Sequence, residues 1–326
     1  MNTVDTVRGP VPIADLGRTL VHEHLISISA EFARDYPELA WSGQRQERVD
    51  SVTAALQALR DRGVTTILDC TAFFHGRDMD FVREVNDRVD MNIVVSTGIY
   101  TFDFLPYHLS HRAPGPVADD VLTQMFLRDI TVGIGDSGVK AQSIKVATDT
   151  AGITPNNERI LRAAGYASAQ TGAPITAHTH PADANGGRIL EIFAEEGAAT
   201  ATVVVAHSGD STDLDYLRGI AASGAVIGHD RFGLYQPGTA TLEERVSMIA
   251  TLCQEGYADR IALSHDTVLY SDWGPPGRAQ QFFPTWVPTH IPDVVLPALS
   301  AAGVSDADID TMLVTTPASL FSRLSA

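Results

Sequence analysis

Short apolar runs alternate with longer segments of helical periodicity along almost the whole of this 326-residue chain. Thr19–Val21, Val64–Leu68, Ile93–Val95 and Ser143–Val146 read as strands in the first half. Pro174–Ala177, Thr202–Val205, Ala225–Ile227 and Ile261–Leu263 continue the series in the second. Between them apolar residues recur three and four positions apart, the spacing that lines one face of a helix. Val49, Val52, Leu56 and Leu59 are one such set; Leu122, Phe126 and Ile130 are another; Leu242, Val246 and Ile249 a third. Helices are also expected over 78–87 and around Ile189, Ile192 and Phe193. Thr154 followed by Pro155 makes a good helix start, and Gly172 a stop. Thr212 and Asp215 predict a capped helix that ends at Gly224.

Eight strands, each followed by a helix-sized segment with no linker between, predict a parallel sheet. Units of this number and length predict a closed (β/α)8 TIM barrel, an α/β fold forming one domain over 1–326. An open doubly wound sheet is the main alternative, but no G-x-G-x-x-G follows the first strand.

Composition narrows the partners more than the fold. A net charge of −17 argues against nucleic acid and against anionic membrane surfaces. No run approaches the apolar length that spans a bilayer, and the N-terminus lacks the basic start and apolar stretch of a signal peptide. Cys70 and Cys253 form neither a metal-binding spacing nor a disulfide framework. A cytoplasmic location is the expectation.

The barrel makes a geometric demand on the chemistry: catalytic groups belong at the C-terminal ends of strands. His22 and His24 follow the first strand, Lys145 lies in the fourth, His178 ends the fifth, His207 the sixth and Asp266 the eighth. His22 and His24, two residues apart, share a strand face. Lys145 sits between apolar neighbours, where a lone ammonium is costly. A solvated lysine on an outward strand position is the ordinary reading, but an amine that has captured carbon dioxide becomes an anionic carbamate able to bridge two cations. Two imidazoles would then hold one metal and His178 with His207 the second, with the carboxylated Lys145 and a hydroxide bridging. Asp266 would ligate the first metal and accept a proton. No single member of this set is decisive; six metal-compatible residues at the correct strand ends are. His75, His108, His111, His265, His290 and His229 are read as ordinary loop or capping residues, His180 as solvated or supporting, and Asp69 as structural in preference to a supporting partner of the site.

These motifs carry a resemblance. The stretch from Asp15 to His24, Lys145 in Ile-Lys-Val-Ala-Thr-Asp, His178 in Ile-Thr-Ala-His, His207 in Ala-His-Ser-Gly-Asp and Asp266 in Leu-Ser-His-Asp are similar to the phosphotriesterase family of the amidohydrolase superfamily. The likeness runs to the stretch Thr311–Ala318 and is nearer to the phosphotriesterase-like lactonases. It implies a binuclear centre, with zinc expected ahead of cobalt, iron or manganese, and a homodimer. Tyr100 in Thr-Gly-Ile-Tyr and Arg231 in Asp-Arg-Phe-Gly match the pair that marks the lactonase branch. His229 departs from the pattern, which has an apolar residue there.

The loop from about Thr267 to His290 is long and aromatic, with Tyr270, Trp273, Phe282, Phe283 and Trp286. It reads either as a cap on the barrel rim or as an apolar channel for an acyl chain; Tyr270, Trp273 and Phe283 are the candidate substrate contacts. The resemblance then implies a metal-dependent lactonase whose bridging hydroxide attacks N-acyl homoserine lactones, a quorum-quenching activity, with side activity on phosphotriesters. A dedicated organophosphate phosphotriesterase is the alternative within hydrolases, and an enzyme opening a cyclic amide is another. A non-catalytic metal-binding barrel is the rival from a different class, and the loss of any one ligand would have favoured it.

Overall fold

A computed structural model of the chain describes residues 2–112 and 114–324. A short antiparallel hairpin, β1 (Thr3–Thr6) and β2 (Gly9–Pro12), precedes the barrel. Eight parallel strands follow: β3 (Arg18–Glu23), β4 (Val64–Asp69), β5 (Asn92–Gly98), β6 (Ser143–Ala147), β7 (Ile175–His178), β8 (Val203–Ala206), β9 (Val226–His229) and β10 (Ile261–Leu263). Each pairs with its neighbour in sequence order. The expected TIM barrel is therefore the fold.

The first and last strands meet through polar contacts as well as backbone. The Asp266 N–H donates to the His22 carbonyl at 2.9 Å, and His24 bridges in parallel to Val268. Beneath them the buried Glu23 carboxylate accepts from Ser264 Oγ at 2.7 Å and from the His265 N–H at 2.9 Å, and its other oxygen from the Thr267 N–H at 3.1 Å. A carboxylate satisfied by that many donors is an inexpensive buried charge. It is a latch between β3 and the segment after β10.

Strand alternation sorts the apolar residues into two layers. Val21, Leu68, Val94, Val204, Val226 and Ala262 form an inner cluster, covered by Val4, Leu16, Leu320 and Phe321. The outer layer packs the strands on the helices, among them Arg45–Arg60, Met79–Asn86, Val121–Thr131, Pro155–Thr171, Gly186–Glu195, Leu214–Ala222 and Leu242–Gln254. With one side of the barrel interior filled by aliphatic residues, the polar ends of the strands gather on the other.

One element was not foreseen and one local expectation needs correction. The N-terminal hairpin, Gly- and Pro-containing and short, carries too little alternation to be legible in sequence. The helix Leu214–Ala222 is capped by Asp213, whose side chain accepts from the Asp215 and Tyr216 amides, rather than by Thr212. Aspartate is at least as good an N-cap as threonine, and here it is one residue nearer the first turn.

Candidate metal centre

His22 lies inside β3 and His24 one residue beyond it, with ring centroids 5.3 Å apart. His207 stacks on His22 at 5.1 Å, and His178 meets His207 edge-on at 4.3 Å. Lys145, fully buried on β6, brings Nζ to 2.5 Å from His22 Nε2. One Asp266 oxygen lies 3.0 Å from His24 Nε2 and 3.2 Å from His22 Nε2. All six expected ligands converge. His207 and Asp266 reach the cluster from left-handed backbone, with φ of 64° and 56°. Non-glycine residues adopt that conformation mainly where surrounding contacts enforce it, and such sites are commonly functional.

What orients the imidazoles is a ring of acceptors outside them. Asp230 takes His22 Nδ1 at 2.7 Å on one oxygen and His207 Nδ1 at 3.0 Å on the other. It also accepts the His207 backbone N–H at 2.7 Å. Asp149 takes His178 Nε2 at 2.9 Å. Thr71 Oγ1 lies 2.9 Å from His24 Nδ1 and 2.6 Å from Asp69, so Asp69 supports His24 through Thr71 rather than serving the fold alone. When one ring nitrogen donates outward, the other must present a lone pair inward. Those lone pairs then face each other: His178 Nδ1 and His207 Nε2 are 2.9 Å apart, and His22 Nε2 faces the Asp266 carboxylate. Acceptor against acceptor at such distances is repulsive unless a cation lies between. The residues therefore fit a metal centre, and His22, His24 and Asp266 form one set whose donor atoms are mutually close enough to hold an ion.

Electrostatics agree with the geometry. Burial first, then neighbouring cations, lower His22, His178 and His207, His178 to about 3. Neutral imidazoles are what metal binding requires. Burial alone would raise Asp266, but His22, His24, His207 and Arg231 outweigh it and hold the carboxyl well below its ordinary value. Burial likewise lowers Lys145, which favours the free amine over the ammonium.

Tyr100 and Arg231 flank the cluster. Gly98, at φ 107°, ends β5 against β6, where a Cβ would lie 1.9 Å from the Lys145 carbonyl oxygen. Only glycine allows that approach, and it sets the course of the chain to Tyr100. The Tyr100 ring lies edge-on to His178 at 5.7 Å and flat on His75 at 4.0 Å. Arg231 Nε donates to Asp266 at 3.1 Å, and the same guanidinium reaches Asp210 at 3.3 Å.

The loop aromatics divide. Trp273, 62% exposed, lies near-parallel to His75 at 6.0 Å and so stands at the rim of the centre. Tyr270 is buried, stacks on Trp41 at 5.7 Å and donates its hydroxyl to the Ala40 carbonyl at 2.5 Å, so it anchors the loop. Phe283 makes no ring contact with the cluster among the described residues. Its neighbour Phe282 lines a cavity of about 420 Å³ together with Arg48, Leu269, Tyr270 and Trp273.

Several histidines are not the loop residues expected. His265 is buried against Glu23 at 2.8 Å, and His290 contacts the Tyr235 hydroxyl at 2.9 Å. His229 is the last residue of β9 and points away from the centre, stacked near Phe232 at 6.3 Å. His180, half-buried past the end of β7, and the exposed His111 match their expectations. Asp230 and Asp149 were the functional residues sequence reasoning missed. Strand parity was the available signal for Asp230: Val226 lies in the inner cluster, so alternation carries Asp230 inward and His229 outward.

The model of the phosphotriesterase family matches residues 2–321. A phosphotriesterase homology protein of Mycobacterium tuberculosis is 42% identical over 99% of this chain and 98% of its own length. An aryldialkylphosphatase of Saccharolobus solfataricus is 34% identical over 94% of this chain and 96% of its own. A solved structure of the phosphotriesterase from Mycobacterium tuberculosis superposes with a TM-score of 0.93 at 41% identity, covering 99% of both chains.

Proposed function

The chain belongs to the phosphotriesterase family of binuclear metal hydrolases, and we propose that it is a lactonase that opens N-acyl homoserine lactones, with side activity on phosphotriesters. The observation that carries this reading is the pair at the mouth of the centre, Arg231 on Asp266 and Tyr100 beside His178. It is the pair by which the sequence resembles the lactonase branch.

His22, His24 and Asp266 would hold one divalent cation, His178 and His207 the other, with Lys145 as its carbamate between them. The amine form favoured by burial is the form that captures carbon dioxide, releasing one proton. Two such cations, when bound, would lower the pKa of a bound water and polarise the carbonyl to be attacked. The chain's own groups then manage protons and position. Asp266, ionised and paired with Arg231, takes the proton of the attacking water as the new C–O bond forms. It returns that proton to the alkoxide released when the ring C–O bond breaks, so the product is a hydroxy acid. Arg231 restrains the Asp266 carboxylate through Nε. The Tyr100 hydroxyl, which takes no hydrogen bond from any other described residue, would bind the lactone ring. The cavity beside Trp273 would take the acyl chain along the apolar part of its lining, Leu269, Tyr270 and Phe282, which suits a methylene run.

Dedicated phosphotriester hydrolysis is the second reading, favoured by the relative named aryldialkylphosphatase. The deciding experiment compares kcat/KM on a long-chain N-acyl homoserine lactone and on paraoxon in one metal-loaded preparation. A large preference for the lactone supports the proposal. The reverse ranking assigns the chain to phosphotriester hydrolysis, and turnover of neither removes the substrate class.

A further inference from the structure

His75 lies outside the metal-ligand set, yet it is fixed in place at the mouth of the centre. It is 6% exposed, with its ring flat on Tyr100 at 4.0 Å and 11°, and edge-on to His24 at 4.6 Å. Trp273 lies near-parallel to it at 6.0 Å. The backbone is pinned from both sides. Ser27 Oγ donates to the His75 carbonyl at 2.5 Å, and the Ile28 N–H donates to the Gly76 carbonyl at 2.9 Å. Gly76, at φ 90°, makes that contact possible, since a Cβ there would lie 2.3 Å from the Ile28 nitrogen. Phe74, just before, holds left-handed backbone at φ 66°.

All this structure positions an imidazole whose Nδ1 is buried without a hydrogen-bond partner. A leucine or phenylalanine would pack against Tyr100 with no unsatisfied polar atom, so packing alone does not account for histidine. We propose that His75 is a specificity-determining residue that hydrogen-bonds the acyl amide of the substrate while Tyr100 and Arg231 hold the lactone ring. This rests on the lactonase reading above. The chemistry matches on two counts. A neutral imidazole offers one donor and one acceptor, and a secondary amide offers the complement. In an N-acyl homoserine lactone the amide is borne by the carbon next to the lactone carbonyl. A carbonyl at the cluster therefore puts the amide within a few bonds of it, at the distance where His75 stands from His24 and Tyr100. Trp273, beyond, then meets the first methylenes of the acyl chain.

The test is a selectivity ratio: kcat/KM on an N-acyl homoserine lactone divided by kcat/KM on a γ-alkyl lactone of equal length without the amide. It is measured for the parent enzyme and for His75→Leu, His75→Phe and His75→Asn, with the thermal midpoint of each. A site that hydrogen-bonds a substrate group discriminates against analogues lacking it, so the ratio should fall about tenfold in the Leu and Phe variants. His75→Asn, which keeps a donor and an acceptor, should recover part of it. A ratio unchanged in folded Leu and Phe variants overturns the proposal and leaves the lactonase reading standing. Turnover of neither lactone by the parent enzyme overturns that reading, and the assignment of His75 with it.

Discussion

His178 Nδ1 and His207 Nε2 face one another across 2.9 Å, and each ring's other nitrogen is already committed to a carboxylate. Two lone pairs so placed repel, so the folded protein should gain stability when a cation separates them. A ligand at a hundred times its Kd adds about 2.7 kcal/mol. In a chain of this size that corresponds to a thermal midpoint roughly 4 °C higher. Stripping with a chelator should lower the midpoint by that much, and Zn2+ should restore it, read by scanning calorimetry. A midpoint indifferent to metal would mean that the imidazoles do not share an ion.

Asp230 fixes two of those rings at once, which makes it the most consequential residue outside the ligand set. Asp230→Ala frees both Nδ1 atoms and removes the bias that aims Nε2 inward. Loss of such a supporting partner typically costs ten- to a hundredfold in metal affinity or activity. Competition against a chromophoric chelator should show a loss of about that size, with kcat/KM falling in step. Affinity equal to that of the parent would show that the rings are held by packing alone.

Trp273 offers a test of the acyl cavity without a stability penalty. It is 62% exposed, so Trp273→Ala should leave the thermal midpoint nearly unchanged. Chain-length preference should flatten, with kcat/KM on long-chain lactones dropping about tenfold relative to short ones. Parallel profiles for parent and variant would place the acyl chain elsewhere.

His229 makes a prediction about acid stability. Burial, with a smaller push from Arg245, lowers its imidazole to about 3 from an ordinary 6.5, and neither ring nitrogen has a hydrogen-bond partner among the described residues. The folded state therefore resists protonation that the unfolded chain accepts. Between about pH 3 and 6.5 unfolding takes up this proton, so stability rises with pH across that window, by up to about 1.4 kcal/mol per pH unit. Above 6.5 the contribution is constant. Denaturant titrations of His229→Leu at several pH values should show that slope reduced by one proton's worth. An identical slope in the variant would contradict the assignment.

The barrel was legible because strand and helix periodicities alternate without interruption from Thr19 to Leu263. The six candidate ligands were legible because parallel barrels put chemistry at one end of each strand, and strand ends can be read from apolar runs. Asp230 was not, because it follows a histidine that attracted the chemical reading, and only parity shows which of the two points inward. Nor was the role of His75. It lies on a loop, where no period constrains direction, and its contacts with His24, Tyr100 and Trp273 join segments about 50, 25 and 200 residues away in sequence. The anchoring contacts of Tyr270 were hidden for a similar reason: an aromatic in a site loop packs on whatever the loop covers, here Trp41 and the Ala40 carbonyl.

The most direct measurement titrates the metal-stripped protein with Zn2+ while following the opening of a long-chain N-acyl homoserine lactone. The account predicts no turnover at the start and a rise that levels off at two equivalents of metal per chain. Full turnover in the stripped protein, or a plateau at one equivalent, would contradict it.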